Sequence, residues 1–533
     1  MSGYGKQATV FLFGLVLILS GCIGKKVCEN PQVLRLNMSA TPSTFDPRRS
    51  GDLVSTCLHF FLYEGLTRLT DAGPAEPGIA EKIEVSKDGL TYIFHLRQAR
   101  WSDGMPVTAA DFEYAWTSIL NPEFPCPNAH LLYAIKNAQK AKQGLLDISE
   151  VGIKVIDSQT LKVTLEVPAP YFLEIVSFAT LHPVPKHIAQ NQQNWSDQNP
   201  LVVNGAFKLN TYTRRQELEL VSNEKYWDRK HIHLEKIKVS FIEDEMTALQ
   251  MYEKGEIDVL GGYYTRIPET AISSLKKSND LRIYPVPGST HLAFNLKQWP
   301  FDQACFRKAL SAAIDRQEIV TGVTQLNESP AYDLVPPSLK DEIMMPYHLT
   351  QDPKVLFEEA LNQMGITKEQ LPTIILSYSR ASLSHNVAQA IQQQWIETLG
   401  INVQLSAAEH KIHLNQLMMH QFQVAIFNIW AQYNDPINIL ERYSYSDNPK
   451  NYMSWSNTDY NLCLSHHPNA QKRRSFLAQA ERILLNEAPI APIFHWQHAI
   501  LQKPYLKNVH ISKSGGIYLH EASIDLDEKA QYR

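Results

Sequence analysis

Histidine pairs are the first candidates for chemistry in this sequence. His410 and His413 stand three positions apart, so on a helix both imidazoles share one face, and a second pair is adjacent, His466-His467. Imidazole is a common ligand of zinc and nickel. However, no glutamate–histidine set of the H-E-x-x-H kind is present, and the pairs are scattered along the chain. We therefore expect no metal site and no cofactor.

The local motifs of the commonest enzyme classes are also missing from the sequence. It contains no G-x-S-x-G nucleophile elbow, no Walker phosphate loop and no G-x-G-x-x-G. With 55 acidic residues in the chain, scattered carboxylate pairs are expected by chance alone. We therefore predict that the protein is not an enzyme.

The N-terminus has the pattern of an export signal. The apolar run from Ala8 to Leu19 is too short to span a bilayer of ~30 Å, but its length is typical of a secretory signal. It ends in the letters Leu19-Ser20-Gly21-Cys22, which resemble a bacterial lipobox. That resemblance implies a signal peptide over 1–21, lipidation of Cys22, a tether over 22–29 and attachment to a membrane.

Composition and charge narrow the class of protein further. The chain has 533 residues, of which 44% are hydrophobic and 20% charged, as in a soluble globular protein of several domains. A formal net charge of −5 and the lack of a basic patch exclude a general affinity for nucleic acid. The five cysteines after Cys22 form no C-x-x-C pair, which argues against a zinc ribbon.

Helix and strand patterns alternate from about residue 30 to the end, which favours an α/β fold. Thr108 and Asp111 form a capping box that predicts a helix over 108–120. Apolar spacing and flanking Pro or Gly residues predict further helices over 302–316, 353–364 and 385–399. Strands are predicted over 401–405, with one wet face, and over 424–430, buried on both sides.

One segment identifies a family. Residues 99–112, Ala-Arg-Trp-Ser-Asp-Gly-Met-Pro-Val-Thr-Ala-Ala-Asp-Phe, strongly resemble the signature of the bacterial peptide and nickel solute-binding proteins of ABC importers. Further matches follow in the family's order: Tyr63-Glu64-Gly65-Leu66, Asn204-Gly205-Ala206-Phe207, Asn223 with Tyr226-Trp227, Gly255-Glu256-Ile257-Asp258, Phe294-Asn295, Phe301-Asp302, Arg307-Lys308-Ala309-Leu310, Leu399-Gly400-Ile401 and Tyr433-Asn434-Asp435-Pro436. This ordered series covers nearly the whole mature chain and is most similar to the oligopeptide-binding proteins.

The resemblance implies a two-lobed α/β fold of the periplasmic-binding-protein type, with an extra accessory domain and a hinge between the lobes. Mapped onto this chain, the domains are lobe I over 30–68, 200–288 and 492–533, the accessory domain over 69–199, and lobe II over 289–491. In such a receptor the ligand binds in the cleft and the lobes close over it.

The chemistry of the cleft follows from what an enclosed peptide needs. Its backbone groups lose water and must find other partners, which a strand edge supplies. In this family the strand before the tyrosine–asparagine motif provides part of that edge, and a loop of the other lobe adds contacts; here that loop is Ser43-Thr44-Phe45. The implied ligand-binding residues are Phe45, His410, Asn428, Ile429, Trp430, Ala431, Gln432, Tyr433 and Asn434.

The sequence departs from the family at two charged anchors. The family places an Asp, which pairs with the ligand's α-ammonium, where this chain has Gln432, and an arginine where it has Ile426. A buried ammonium without a counter-charge is strongly destabilised. Three responses remain open: the amine is held by Gln432 with Asp435 or Glu409, it is blocked or differently placed, or it stays near solvent.

The resemblance therefore implies a lipid-anchored, periplasm-facing subunit of the cell envelope that captures peptides or peptide-like solutes. Its expected partners are the permease and ATPase of an ABC importer, and we expect a monomer. Two other functions remain as alternatives: a receptor for nickel-type metals or metal chelates on the same fold, and a lipoprotein that serves sensing or adhesion without transport.

Overall fold

The computed structural model describes residues 32–70, 75–340, 351–465, 470–513 and 515–532. The predicted signal peptide, the predicted lipidation site Cys22 and the predicted tether lie outside these ranges, as do His466 and His467. Among the described helices, none is both long and apolar enough to cross a membrane.

Strands and helices alternate along most of the chain. In the described ranges the strands are β1 (Val33–Asn37), β2 (Thr67–Arg68), β3 (Glu76–Pro77), β4 (Ala80–Val85), β5 (Thr91–Leu96), β6 (Ile153–Asp157), β7 (Thr160–Thr164), β8 (Phe207–Thr213), β9 (Glu217–Ser222), β10 (Lys236–Ser240), β11 (Val259–Gly261), β12 (Leu281–Phe294), β13 (Ser329–Pro330), β14 (Ile374–Ser379), β15 (Val403–Ala408), β16 (Val424–Trp430), β17 (Ile490–Gln502), β18 (Leu506–Lys507), β19 (His510–Ile511), β20 (Ile517–Tyr518) and β21 (Ser523–Ile524). The α-helices are α1 (Leu53–Leu62), α2 (Ala109–Leu120), α3 (Ala138–Lys142), α4 (Phe172–Ile175), α5 (Lys186–Ala189), α6 (Glu245–Glu253), α7 (Glu269–Leu275), α8 (Ala304–Ala312), α9 (Arg316–Ile319), α10 (Pro353–Met364), α11 (Ser382–Leu399), α12 (His410–Met418), α13 (Ile437–Leu440), α14 (Thr458–Leu464), α15 (Ala470–Glu487) and α16 (Leu526–Gln531).

A mixed sheet forms the centre of the molecule. Its order is β15-β14-β16-β12-β17-β11-β1-β10-β9-β8, and β13 pairs with β17 beside this path. The long strands β12 and β17 pair antiparallel from Leu281 opposite Leu501 to Ala293 opposite Ile490, with a register shift between Pro285 and Ser289. This ribbon joins the two halves of the sheet.

A separate four-stranded sheet, in the order β4-β5-β7-β6, lies within the predicted accessory domain 69–199. Helix α2 packs beside it through Phe112 and Trp116, which are both buried. The domain boundaries themselves stay a prediction. Two of them, at 288/289 and 491/492, fall inside β12 and β17, so lobes divided there would be joined by continuous paired strands rather than by loops.

Locally signalled elements match their predictions closely. Helix α2 begins at the predicted capping box of Thr108 and Asp111, and β16 covers 424–430 as predicted, although Asn428 is exposed. Helix α10 ends at Gly365, whose φ of +67° is the left-handed conformation that favours glycine. The predicted helix 302–316 instead ends at Ala312, because the Asp315 side chain accepts a hydrogen bond from the amide of Glu318 and starts α9.

Large aromatic side chains fill the core. Four tryptophan side chains are at most 2% exposed: Trp101, Trp116, Trp195 and Trp395. The four cysteines in the described part of the chain, Cys57, Cys126, Cys305 and Cys463, are unpaired thiols. A core of this size needs no disulfide to be stable.

Candidate ligand-binding site

A cavity of about 810 Å³ opens beside the end of β16. Strand β16 contributes Trp430 to its wall, β17 contributes Trp496 and His498, and the segment after β11 contributes Tyr263. These rings contact one another: the ring centroid of Trp430 lies 5.4 Å from that of Tyr263, 6.1 Å from that of Trp496 and 5.3 Å from that of His498. The volume is within the range of small-molecule sites.

One edge of β16 is largely free of strand pairing. The strand pairs with β12 along its whole length, but with β14 only at Val424 and Ala425. Residues of a strand alternate in the side to which their backbone groups point. The carbonyls of Ile426 and Trp430, on the side away from β12, are bound by the side chains of His413 and Arg442. Asn428 lies between them, so its N–H and C=O face the same open edge.

Trp430 is held by close packing. Its indole lies against Gly288 of β12, where an added Cβ would stand only 2.6 and 2.8 Å from two ring carbons. Any side chain larger than hydrogen at Gly288 would push the indole away. Gly288, the cross-strand partner of Trp430, has no side chain and therefore leaves the space that the indole occupies.

Gln432 is held by hydrogen bonds to neutral partners. Its Oε1 lies 2.7 Å from His130 Nε2, and its Nε2 donates to Asn128 Oδ1 at 2.9 Å. Its backbone N–H donates to Asn438 Oδ1 at 2.8 Å. Burial, with a further contribution from the charge of Lys450, lowers the pKa of His130 to about 4, so this imidazole is neutral at pH 7.

Both carboxylates considered as partners for a ligand amine accept hydrogen bonds within the protein. Asp435 forms a bidentate ion pair with Arg473, at 2.7 and 2.9 Å, and its Oδ1 also accepts from the amide of Ile437 at the start of α13. Glu409 is the N-cap of α12 and accepts from the amide of Lys411. Gln432 therefore carries no charge for a ligand amine, and the charge of Asp435 is paired with Arg473, whereas Glu409 is exposed and accepts the amide of Lys411 through one carboxylate oxygen.

The other predicted site residues lie in different surroundings. Phe45, Ile429, Ala431 and Tyr433 are all less than 8% exposed, and Tyr433 stacks on Tyr171 with ring centroids 4.9 Å apart. Asn428 is exposed and accepts at Oδ1 from the Thr290 hydroxyl. Asn434 is half-buried. Of the predicted residues, the structure brings Trp430 to the cavity wall.

The two histidines weighed as metal ligands do not face each other across a site. His413 is buried and its Nε2 lies 2.8 Å from the carbonyl of Ile426. His410 is exposed, 3.4 Å from the hydroxyl of Ser379. In the described part of the chain, no three His, Cys, Asp or Glu side chains come together as metal ligands.

The cavity also uses residues that the sequence reasoning missed. Trp496 and His498 come from the letters His495-Trp496-Gln497-His498, and Tyr263 precedes them by more than two hundred positions. A tryptophan between two histidines in one strand could have signalled a site. Burial, aided by the charge of Arg266, lowers the pKa of His498 to about 4, so it adds a neutral ring.

Comparisons with known proteins agree on one family. The sequence model of the bacterial extracellular solute-binding proteins, family 5 middle, matches residues 75–451. The chain is 34% identical to the oligopeptide-binding protein OppA of Bacillus subtilis, over 95% of this chain and 97% of that protein. It is 33% identical to the probable deoxycholate-binding periplasmic protein YgiS of Escherichia coli, over 92% of this chain and 91% of that protein.

Solved structures agree as well. Haemophilus influenzae OppA in complex with the peptide RPPGFSPFR superposes with a TM-score of 0.78 at 26% identity, covering 93% of this chain and 99% of that one. The two-lobed α/β fold predicted from the sequence is thereby confirmed. The protein is a member of the bacterial extracellular solute-binding proteins of family 5, of the peptide and nickel type that serves ABC importers.

Proposed function

We propose that this protein is the receptor subunit of an ABC importer and binds peptides or peptide-like solutes between its lobes. In this proposal it acts as a lipid-anchored, periplasm-facing monomer that delivers its ligand to the permease, while the ATPase supplies the energy. The lipid would be carried by Cys22.

The open edge of β16 is the observation that carries the proposal. The backbone N–H and C=O of Asn428 face a side that no described strand covers beyond Ala425. An extended peptide can add to such an edge through main-chain hydrogen bonds, which tolerate many side chains. Trp430, two residues further, then forms part of the wall of the adjacent side-chain cavity.

A proline substitution tests this edge directly. Proline has no N–H, but at Asn428 it removes only the donor that faces away from β12, so the ladder with β12 stays intact. We expect Asn428→Pro to weaken binding of a tetra-alanine peptide at least about tenfold, which corresponds to one main-chain hydrogen bond at ~1.4 kcal/mol. The measurement is isothermal titration calorimetry on the full chain.

Asn428→Ala is the matched control, because it removes the same side chain and keeps the N–H. We expect it to bind the peptide as the wild type does. Equal affinities of the proline and alanine variants would show that no ligand strand adds to this edge. Native mass spectrometry of gently purified protein gives an independent check, since a receptor for peptides should carry a series of short-peptide masses.

Two further parts of the proposal have separate tests. Replacing the proposed lipid carrier, Cys22→Ser, is expected to move the protein from the membrane fraction to the soluble fraction. Deleting the protein from its host is expected to abolish uptake of the peptides that it binds. Intact uptake after deletion would instead support the sensing alternative.

A further inference from the structure

Carboxylates outnumber cationic groups around the cavity beside Trp430. Among the described residues, Glu245, Glu269 and Glu328 line it together with one guanidinium, that of Arg266. Within the described residues none of these carboxylates forms an ion pair with a Lys or Arg. Glu328 instead accepts from the Thr324 hydroxyl and the amide of Leu326.

Glu269 and Glu245 are the carboxylates available to a ligand. Both are half-buried, and Glu269 lies at the start of α7. Burial raises the pKa of Glu269, the charge of Glu245 raises it further, and the charge of Arg266 lowers it. One guanidinium among three carboxylates leaves an excess of negative charge, and a bound cation reduces the repulsion between Glu245 and Glu269.

The aromatic rings of the cavity wall are independent evidence that the cavity favours a positively charged ligand group. The rings of Trp430, Trp496 and Tyr263 surround the neutral imidazole of His498. The faces of such rings carry partial negative charge and attract ammonium and guanidinium groups. Since His498 is neutral at pH 7, it adds no repulsion to such a group.

We propose that this cavity selects ligands with a cationic group, and that within a bound peptide it takes a lysine or arginine side chain. The inference rests on the proposed function for the peptide backbone, but the charge preference comes from the cavity alone. The aromatic rings enclose the aliphatic stem, and the charged head lies toward Glu245 and Glu269.

Three peptides of equal length test the preference. They are Ala-Ala-Lys-Ala, the same peptide with norleucine in place of lysine, and Ala-Ala-Glu-Ala. By titration calorimetry on the full chain we expect the lysine peptide to bind at least about tenfold more tightly than the norleucine peptide, and the glutamate peptide to bind most weakly. Norleucine keeps the stem and removes the charge, so the ratio isolates the cationic head.

The double variant Glu245→Gln with Glu269→Gln assigns the effect to the cavity. We expect it to bring the ratio of lysine to norleucine affinities close to one. Glu243→Gln is the matched control, because Glu243 is exposed two residues from Glu245 and outside the cavity lining. It should leave the ratio unchanged. Should the double variant fold poorly, the wild-type ratio must still fall with added salt.

The outcomes separate the two proposals. Equal binding of the lysine and norleucine peptides overturns the charge preference and leaves peptide binding intact. A ratio that survives in the double variant, or that ignores salt, also overturns it. Failure of all three peptides to bind refutes the proposed function, and with it this inference.

Discussion

His130 Nε2 and Gln432 Oε1 lie 2.7 Å apart and join two segments that are 302 residues apart in the chain. Asn128 completes the contact from the same segment as His130. The side chain of Gln432 is thus held between neutral groups. A carboxylate at this position would face an imidazole that could take up a proton.

Replacing Gln432 with Glu is expected to raise the pKa of His130 from about 4 by at least about one pH unit, because a carboxylate stabilises the imidazolium. The measurement is an NMR titration of the His130 ring. Gln432→Asn, which stays neutral, should leave the titration close to that of the wild type. If the glutamate variant titrates like the wild type, the 2.7 Å contact is not formed in solution.

The contact between Gly288 and Trp430 predicts a coupled pair of mutations. Gly288→Ala is expected to destabilise the protein by about 1–3 kcal/mol, because its Cβ collides with the indole. In a Trp430→Ala background the same change should cost at least ~1 kcal/mol less. Urea denaturation of the four proteins measures both costs. Gly322→Ala is the control, since its Cβ would meet no atom within 4 Å, and additivity of the pair would contradict the contact.

The ion pair of Asp435 with Arg473 predicts a large loss of stability. Both side chains are well buried, at 12% and 16% exposed, and the guanidinium also lies over the ring of Tyr171. Asp435→Asn is expected to cost about 3 kcal/mol of unfolding free energy, because the arginine loses its counter-charge. Glu224→Gln breaks the exposed pair with Lys208 and should cost under about 1 kcal/mol. Similar costs for the two variants would refute the argument.

Two deeply buried histidines predict how stability depends on pH. Burial lowers the pKa of His59 to about 4 and that of His182 to about 3, from an ordinary value of 6.5. Between about pH 6.5 and 4 these two imidazoles therefore bind protons in the unfolded chain but stay largely neutral in the folded chain. Their contribution to stability is complete above pH 6.5 and is lost as the pH falls through this window.

A variant isolates one of these groups. His182→Gln should reduce the slope of unfolding free energy against pH, between about pH 6.5 and 4, by up to about 1.4 kcal/mol per pH unit. Glu174, whose pKa burial raises to about 7, acts in the opposite direction but is the same in both proteins. The exposed His233→Gln variant controls for the loss of a histidine, and equal slopes for the two variants would contradict the assignment.

Elements signalled by neighbouring residues were predictable from the sequence. Helix α10 has a sequence signal at its start, Pro353, and one just after its end, Gly365. In the structure it spans the predicted residues 353–364. The helix predicted over 302–316 was wrong at its end, because α8 ends at Ala312 and Asp315 caps the start of the next helix, α9. The apolar periodicity continues through Asp315, so the pattern did not indicate that one helix ends and another begins there.

The site was less predictable, because its parts are distant in sequence. The resemblance pointed to Trp430, which lines the cavity. Nothing local to Gln432 indicates that His130 and Asn128 hold its amide. Likewise, the aromatic wall combines Tyr263 with Trp496, and only the pairing of β11 with β17 brings these segments together. Tertiary contacts of this kind have no signature in a single sequence.

The place of β17 in the central sheet has a consequence for biosynthesis. It lies between β12 and β11, so without it the remaining strands divide into one group ending at β12 and another ending at β11. Residues 490–502 follow the other strands of this sheet in the chain, and strands that pair across hundreds of residues form slowly. A chain that is still being synthesised before residue 490 therefore holds two unfinished half-sheets, and the cavity beside Trp430 is completed only when β17 enters between them.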